Sequence, residues 1–314
     1  MRKTVSLAMT TYNGEKYLRE QLDSIYNQTM VPDEVIVCDD NSKDGTVEIL
    51  EEYHKAKGLK YYVNNPGLGV NKNFFKAISL CSCDYIALSD QDDVWFPVKI
   101  ETLYYKMLEI DNGTPCAVSS QSDDMDSNGN IINKRTTKED TEGYAASLLK
   151  KGVHQGCTMI INQPLSQRVI DLVSSDDCYD SIMFDALISY CAAIFGVKYN
   201  LGVSLMNYRH HSTNVFANNK SKNNLRNKIK SYITFPGFIL DIRIKDLSIL
   251  YEKFEQQITN PDVKCLLSII SRINNSNCFF HKLALICTIK EYSFIDRIAI
   301  VIRSLVLSIV KPFI

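Results

Sequence analysis

Three carboxylates fall within four positions, at Asp90, Asp92 and Asp93, directly after the apolar run Tyr85–Leu88 and before Trp95 and Pro97. Like charges packed this closely repel one another, and a bound divalent cation relieves the repulsion. A hard ion such as Mg2+ or Mn2+ takes oxygen ligands, often one or two carboxylates together with substrate phosphates. The competing reading is a solvated acidic turn. A second acidic stretch, Asp39-Asp40-Asn41-Ser42, follows the apolar Val35–Cys38. Asp, Asn and Ser are ordinary turn and N-cap formers, but a carboxylate there can also accept hydrogen bonds from a ribose hydroxyl or a nucleobase N–H. Tyr12, just past Val5–Met9, offers an aromatic face on which such a base can stack.

These residues need elements that bring them together. Thr4–Met9, Val35–Cys38, Lys60–Val63 and Tyr85–Leu88 are short apolar or β-branched runs of strand length. Between them, Glu15–Tyr26, Val47–His54 and Asn71–Leu80 have helical spacing, and Lys99–Ile110 follows as a further helix. Strands alternating with helices imply βαβ units and a mostly parallel sheet with right-handed crossovers. In open sheets of this kind ligands bind beyond the carboxyl ends of the strands. Tyr12, Asp39-Asp40 and the Asp90–Asp93 cluster all lie at such ends.

Past Ile110 the pattern loosens. Cys116–Ser119 and Cys157–Ile161 are strand-like, Ser181–Ala193 is helical, and the polar Gln121–Thr141 reads as loop with a hairpin turn at Ser127-Asn128-Gly129-Asn130. The Asn- and Lys-rich stretch Asn218–Lys230 marks a boundary, giving an α/β domain over residues 1–217 and a mainly helical region over 218–314.

Of the 314 residues, 45% are hydrophobic and 23% charged, which fits a chain that buries a real core and excludes disordered or low-complexity architectures. The net charge of −1 gives no sign of a nucleic-acid partner. It hides an asymmetry: residues 1–217 carry 20 Lys and Arg against 29 Asp and Glu, and residues 218–314 carry 15 against 7. The basic tail suggests an anionic partner, with a membrane surface or a nucleic acid as the first candidates. Ile295–Val310 is strongly apolar but broken by Asp296, Arg297 and Arg303, so it suits an interfacial helix, or one packed on its neighbours, better than a span. The N-terminus has no signal-peptide pattern, and the ten cysteines are scattered through apolar runs. Reduced, buried thiols in a cytoplasmic protein are the expectation.

The wording of several segments resembles family 2 glycosyltransferases, and most of all their rhamnosyltransferase-like branch. The matching runs are Met9-Thr10-Thr11-Tyr12-Asn13-Gly14, Gln21-Leu22-Asp23-Ser24-Ile25, Asp39-Asp40-Asn41-Ser42 with Asp44-Gly45-Thr46, and Ser89-Asp90-Gln91-Asp92-Asp93-Val94-Trp95. The resemblance is dense over Val5–Lys99, patchy to Val215 and absent beyond. It implies the GT-A nucleotide-diphospho-sugar transferase fold and an inverting, metal-dependent transfer from a dTDP- or UDP-linked sugar donor to a growing cell-surface glycan. The resemblance further implies a lipid-linked acceptor at the cytoplasmic face of a bacterial membrane.

Carried over residue by residue, the resemblance assigns Thr10, Tyr12, Asp39, Asp40, Gly69 and Asn73 to the nucleotide. Asp92 with Asp90 matches the metal-binding D-x-D, and Gly156-Cys157 matches a strand that lines the sugar pocket. In Tyr208-Arg209-His210-His211, His211 matches a histidine able to complete the Mg2+ or Mn2+ shell, and Arg209 is placed to pair with phosphate. The family's general base is an Asp on a helix after the sugar-pocket strand, which points to Asp185. There Phe184 and Ala186 depart from the usual neighbours, so Asp180 competes for the role. Trp95, the single tryptophan, suits core filling, with a shelf for the acceptor sugar as the functional alternative.

Two other readings compete. Asp90-Gln91-Asp92-Asp93-Val94 also fits the nucleophile motif of haloacid-dehalogenase-like phosphatases, in which Asp90 would attack phosphorus; that motif belongs after a first strand, not a fourth. A non-catalytic sugar-nucleotide-binding protein is the third, against which the intact acids at every strand end argue.

Overall fold

The computed structural model describes residues 2–135, 155–175, 179, 182–211 and 245–276. The chain divides into two compact units, Met1–Glu142 with Val153–Thr213, and Gly143–Gly152 with Asn214–Ile314.

The first unit opens with β1 (Val5–Thr11), α1 (Glu15–Tyr26), β2 (Glu34–Asp39), α2 (Thr46–Lys57), β3 (Lys60–Val63), α3 (Val70–Ser79) and β4 (Tyr85–Ser89). β1 and β4 are almost wholly buried, as unbroken apolar runs demand when helices cover both faces of a sheet. α1 buries Tyr17, Leu18, Gln21, Leu22 and Ile25, one stripe at helical spacing. β1 lies between β2 and β4, parallel to both, and β3 extends the sheet beyond β2.

The register aligns the strand ends. Thr11 pairs with Asp39 across β1 and β2, and Met9 pairs with Ser89 across β1 and β4. The chain therefore leaves all three strands on one rim, carrying Tyr12, Asp40 and Asp90 with it. The Asp40 N–H donates to the Thr11 carbonyl (2.8 Å), which continues the pairing one residue past β2.

After β4 come the two-residue β5 (Val94–Trp95), α4 (Lys99–Ile110), β6 (Cys116–Met125) and β7 (Ile131–Asn133). A single 3-10 turn at Gly156–Thr158 then leads into β8 (Met159–Asn162), α5 (Gln163–Ser175), α6 (Phe184–Phe195) and β9 (Val197–Arg209). Among the described residues one sheet runs in the order β3-β2-β1-β4-β8-β6-β9-β5, with β7 paired to β6. β8 is antiparallel to β4 and β6, β6 and β9 are parallel, and β5 is antiparallel to β9. The parallel frame of the βαβ half thus gains a mixed second half.

Two sequence expectations change here, and two elements are new. Gln121–Met125, expected as loop, continues β6: Asp123 and Asp124 pair with Asn207 and Tyr208 of β9, and Ser122, Asp123 and Asp124 are buried despite being polar. Gly156–Thr158 forms the 3-10 turn and the strand begins only at Met159. The long β9 and the helix α5 were not anticipated. The hairpin turn at Ser127–Asn130 is present, with Asp126 Oδ1 accepting from the Asn128 and Asn130 N–H groups.

In the second unit, residues 245–254 are helical and a helix spans Pro261–Asn275. The Asn260 side chain caps this helix by accepting from the Asp262 and Val263 N–H groups. Leu247, Leu250, Val263, Leu266, Leu267, Ile270 and Ile273 are buried. Ile295–Val310 and Asp180 lie outside the described residues. Among the described residues no helix is long and apolar enough to cross a membrane. Of the free cysteines among them, six are buried and Cys265 is exposed.

Candidate active site

The side of the rim towards β3 is built by Asp40. Its Oδ1 accepts from the Leu68 N–H (2.6 Å) and from Asn64 Nδ2 (3.0 Å), and its Oδ2 accepts from the Gly69 N–H (2.9 Å). One carboxylate thereby folds the β3–α3 loop over the end of β2. Gly69 enters α3 at φ 80°, a left-handed conformation that favours glycine. Beneath it, Asn73 is buried: its Nδ2 donates to the Cys38 carbonyl (2.8 Å) and its Oδ1 accepts from Asn64 Nδ2 (2.8 Å). Asn73 and Gly69 therefore shape the loop from behind. Asp39 is fully buried, with its carboxylate accepting from the Thr11 and Ser42 hydroxyls and the Ser42 N–H. Direct contact with a nucleoside, expected for Asp39, gives way to a role in closing the turn. Tyr12, just past the end of β1, is 58% exposed, and Thr10 is half-buried.

The acidic cluster follows β4. The antiparallel pairing of β5 with β9, Val94 with Asn207, carries the end of β9 back alongside it. His211 Nε2 then lies 2.6 Å from Asp92 Oδ2. Asp90, half-buried, brings an oxygen within 4.8 Å of the ligand atoms of Asp93 and Cys157. Burial, and then the neighbouring Asp92 charge, push the Asp90 carboxyl up from its ordinary range. Asp93 is buried and pushed up by the same two causes; its Oδ1 accepts from the Arg209 N–H (3.2 Å) and its Oδ2 has no hydrogen-bond partner.

The cation inside this cluster is Lys99, which the sequence reading passed over as part of α4. It is fully buried, donates to the Cys157 carbonyl (2.5 Å), and sits 3.6 Å from the centroid of the Trp95 ring. Burial pulls its ammonium down from the ordinary lysine value, opposed by the Asp93 and Asp90 charges. Trp95 is only 3% exposed. It packs in the main core, and with the Gln21 amide assigned so that its oxygen faces the ring, that oxygen accepts from the indole N–H (3.2 Å). Of the two readings of Trp95, core filling and an acceptor shelf, this burial favours the first. Arg209 is likewise committed, since Nη2 pairs with Glu20 (2.6 Å) and Nε donates to the Asp92 carbonyl (2.8 Å). It braces the acidic loop instead of waiting for phosphate.

Asp185 opens α6. Its Oδ1 accepts from the Ala186 N–H (2.8 Å), and burial pushes its carboxyl up to about 6. It lies close enough to Asp90 for the two charges to interact. Phe184, the departure noted in the sequence, stacks on Phe74 with centroids 3.8 Å apart. The Phe184 N–H donates to Asn71 Oδ1 (3.0 Å), and Asn71 Nδ2 donates to the Ile182 carbonyl (2.9 Å). The helix that follows the β3–α3 loop thus holds the helix that carries Asp185. Gly156 permits this approach: a Cβ there would come within 2.5 Å of the Phe184 ring and 3.5 Å of Asp185 Cβ. Cys157 is buried, and its thiol is pushed well up, first by burial and then by the Asp93 and Asp90 charges.

The sequence profile of "Glycosyl transferase family 2" matches residues 6–169, just over half of the chain and every strand-end acid of the βαβ half. The chain belongs to glycosyl transferase family 2. Its curated relatives in this family include the dTDP-rhamnosyl transferase RfbG of Shigella flexneri, 42% identical over 100 residues that make up 30% of this chain and 34% of that protein. Another is the putative teichuronic acid biosynthesis glycosyltransferase TuaG of Bacillus subtilis, 34% identical over 118 residues, 37% of this chain and 44% of that one. The matched stretch spans about a third of the first and less than half of the second. Among solved structures, S. aureus TarS 1-349 in complex with UDP-GlcNAc superposes with a TM-score of 0.55 at 15% identity, covering 90% of this chain and 80% of that one. The fold is therefore GT-A. Within this family 2 fold, the residues that sequence reasoning missed are Asn64, Asn71, Gln91 and Lys99. Only Gln91 carried a signal, as the uncharged residue inside the D-x-D.

Proposed function

We propose that this protein transfers a sugar, with inversion at the anomeric carbon, from a dTDP- or UDP-linked donor to a growing glycan. The observation that carries the reading is the shared rim on which Tyr12, Asp40 and the Asp90–Asp93 cluster meet, with Asp185 within electrostatic reach of Asp90. Membership of the family and relatives named for rhamnosyl and teichuronic acid chemistry support it.

Tyr12 stacks the base, and the loop that Asp40 organises receives the nucleoside. Asp92, Asp90 and His211 would hold the cation. Oxygen and imidazole donors suit Mg2+ or Mn2+, and the crowded carboxylates, one of them already pushed towards its neutral form, fit a site that expects positive charge. When bound, such an ion supplies charge to the oxygens of the departing diphosphate. The acceptor hydroxyl oxygen forms its bond to the anomeric carbon as the bond from that carbon to the diphosphate oxygen breaks. Asp185 takes the hydroxyl proton, for which a carboxyl lifted to about 6 is better matched than an ordinary one. The nucleoside diphosphate leaves with the bonding electrons.

The acceptor in this reading is lipid-linked, and the basic residues 218–314 attach the enzyme to an anionic membrane face on the cytoplasmic side. Removing Phe294–Ile314 should move the protein from the membrane to the soluble fraction; an unchanged distribution rejects that part. The phosphatase alternative predicts phosphate release from a phosphomonoester without acceptor, and the non-catalytic alternative predicts nucleotide-sugar binding without turnover. A donor panel assayed with and without acceptor separates all three.

A further inference from the structure

The middle residue of the D-x-D takes part in neither the metal set nor the base, yet it makes the most regular contact on the rim. Gln91 Oε1 accepts from the Tyr12 N–H (2.8 Å), and Gln91 Nε2 donates to the Tyr12 carbonyl (3.0 Å). A side-chain amide thus pairs with a single residue's backbone as a neighbouring strand would. It does so just past the end of β1, where the ladder to β4 has already stopped at Met9 and Ser89. Gly14 makes the room: a Cβ there would come within 2.2 Å of Gln91 Oε1. Its φ of −102° is open to any residue, so space and not backbone conformation is what glycine provides. The Tyr12 ring remains exposed while its backbone is fixed at both polar atoms.

We infer that Gln91 is a positioning residue that holds the Tyr12 ring ready for the nucleobase, tying the diphosphate loop to the base platform. The inference rests on the nucleotide reading above and extends it to a residue and a division of labour. A platform whose backbone is fixed in advance loses less conformational freedom when the base stacks on it. Loss of the amide pair should therefore weaken nucleoside recognition and leave recognition of the diphosphate intact.

The test is binding of UDP, dTDP and inorganic pyrophosphate, each with Mn2+, to the full chain by calorimetry. For Gln91→Ala the expected result is a five- to tenfold loss of affinity for the nucleotide that the unaltered protein prefers, and pyrophosphate affinity unchanged within twofold. Gly14→Ala, which must displace the amide, should give the same loss, and adding it to Gln91→Ala should cost nothing more. In a Tyr12→Ala background, Gln91→Ala should have little further effect, because the ring it positions is gone; a merely structural role would leave the loss intact there. Gln91→Ala that binds nucleotide within twofold of the unaltered protein overturns the clamp alone, as does an equal loss for pyrophosphate. Binding of neither nucleotide by the unaltered protein overturns the sugar-nucleotide reading and the clamp with it.

Discussion

His211 Nε2 lies 2.6 Å from Asp92 Oδ2 although 119 residues separate them in the chain. The contact exists because β5 begins two residues after Asp92 and pairs antiparallel with β9, whose last residue precedes His211 by two. Sequence-distant donors of the kind Mg2+ or Mn2+ accepts are thereby joined by backbone pairing. His211→Ala and Asp92→Asn should each raise the Mn2+ concentration needed for half-maximal activity by about tenfold or more, in line with the loss of a ligand or its hydrogen-bonded partner. Titration of activity against Mn2+ checks this; an unchanged requirement in both variants removes the pair from the cation site.

Asp185→Asn should lower kcat by about 10²- to 10⁴-fold, the usual worth of a positioned general base. Nucleotide affinity should remain, because Asp185 lies on α6 and not on the Asp40 loop. Activity of the unaltered enzyme should rise with pH through about 6, as the carboxyl loses its proton and becomes able to accept one. A pH–rate profile without that acidic limb, or one that keeps it after Asp185→Asn, assigns the base elsewhere.

The same residue should carry a stability cost. Burial lifts the Asp185 carboxyl to about 6 from an ordinary value near 3.8, so the folded state resists its charge. Above pH 6 both states are ionised and the full penalty, up to about 3 kcal/mol, is present; below about pH 4 both are protonated and it fades. Asp185→Asn should therefore raise the Tm at pH 8 and leave it nearly unchanged at pH 4. Urea or thermal unfolding at the two pH values reads the difference; equal effects would deny that the charge is strained.

Gly156→Ala should act through Phe184. The added Cβ meets the Phe184 ring at 2.5 Å, and that ring is stacked on Phe74, so the start of α6 must shift. Displacement of a catalytic group by about an ångström can cost on the order of 10²-fold in rate. We expect kcat to fall while nucleotide affinity holds, and steady-state kinetics would show the split. Trp95→Ala, by contrast, should destabilise the fold by about 3–5 kcal/mol, the range for a large buried aromatic, with acceptor KM unchanged in whatever fraction stays folded.

Much of this site was legible from residue order. The apolar runs of β1, β2 and β4 are continuous because helices cover them on both faces, and polar residues switch on at each strand end, so the rim could be read directly. Asp39 and Asp40 show where that reading stops: the same residue type in adjacent positions, one sealed under the turn and one organising the next loop, with only the register to tell them apart. Trp95 stayed open between two readings because aromatic rings serve cores and sugar platforms alike. Lys99 was missed because α4 has ordinary helical spacing, and only the packing shows its ammonium turned inward among acids. β9 escaped notice because its burial does not alternate, with Asn200, Leu201 and Gly202 buried in succession, and its register against β6 is bulged.

The central claim is a cation-assisted transfer from a nucleotide sugar at the rim shared by Tyr12, Asp40 and Asp92. Its most direct test is turnover of dTDP-rhamnose, UDP-glucose, UDP-galactose and UDP-N-acetylhexosamines, measured as nucleoside diphosphate released with Mn2+ and with EDTA, for the unaltered enzyme and for Asp92→Asn. The account predicts release from at least one donor with Mn2+, abolished by EDTA and reduced about 10²-fold or more by the substitution. Release from none of them, or release indifferent to both EDTA and Asp92→Asn, would contradict it.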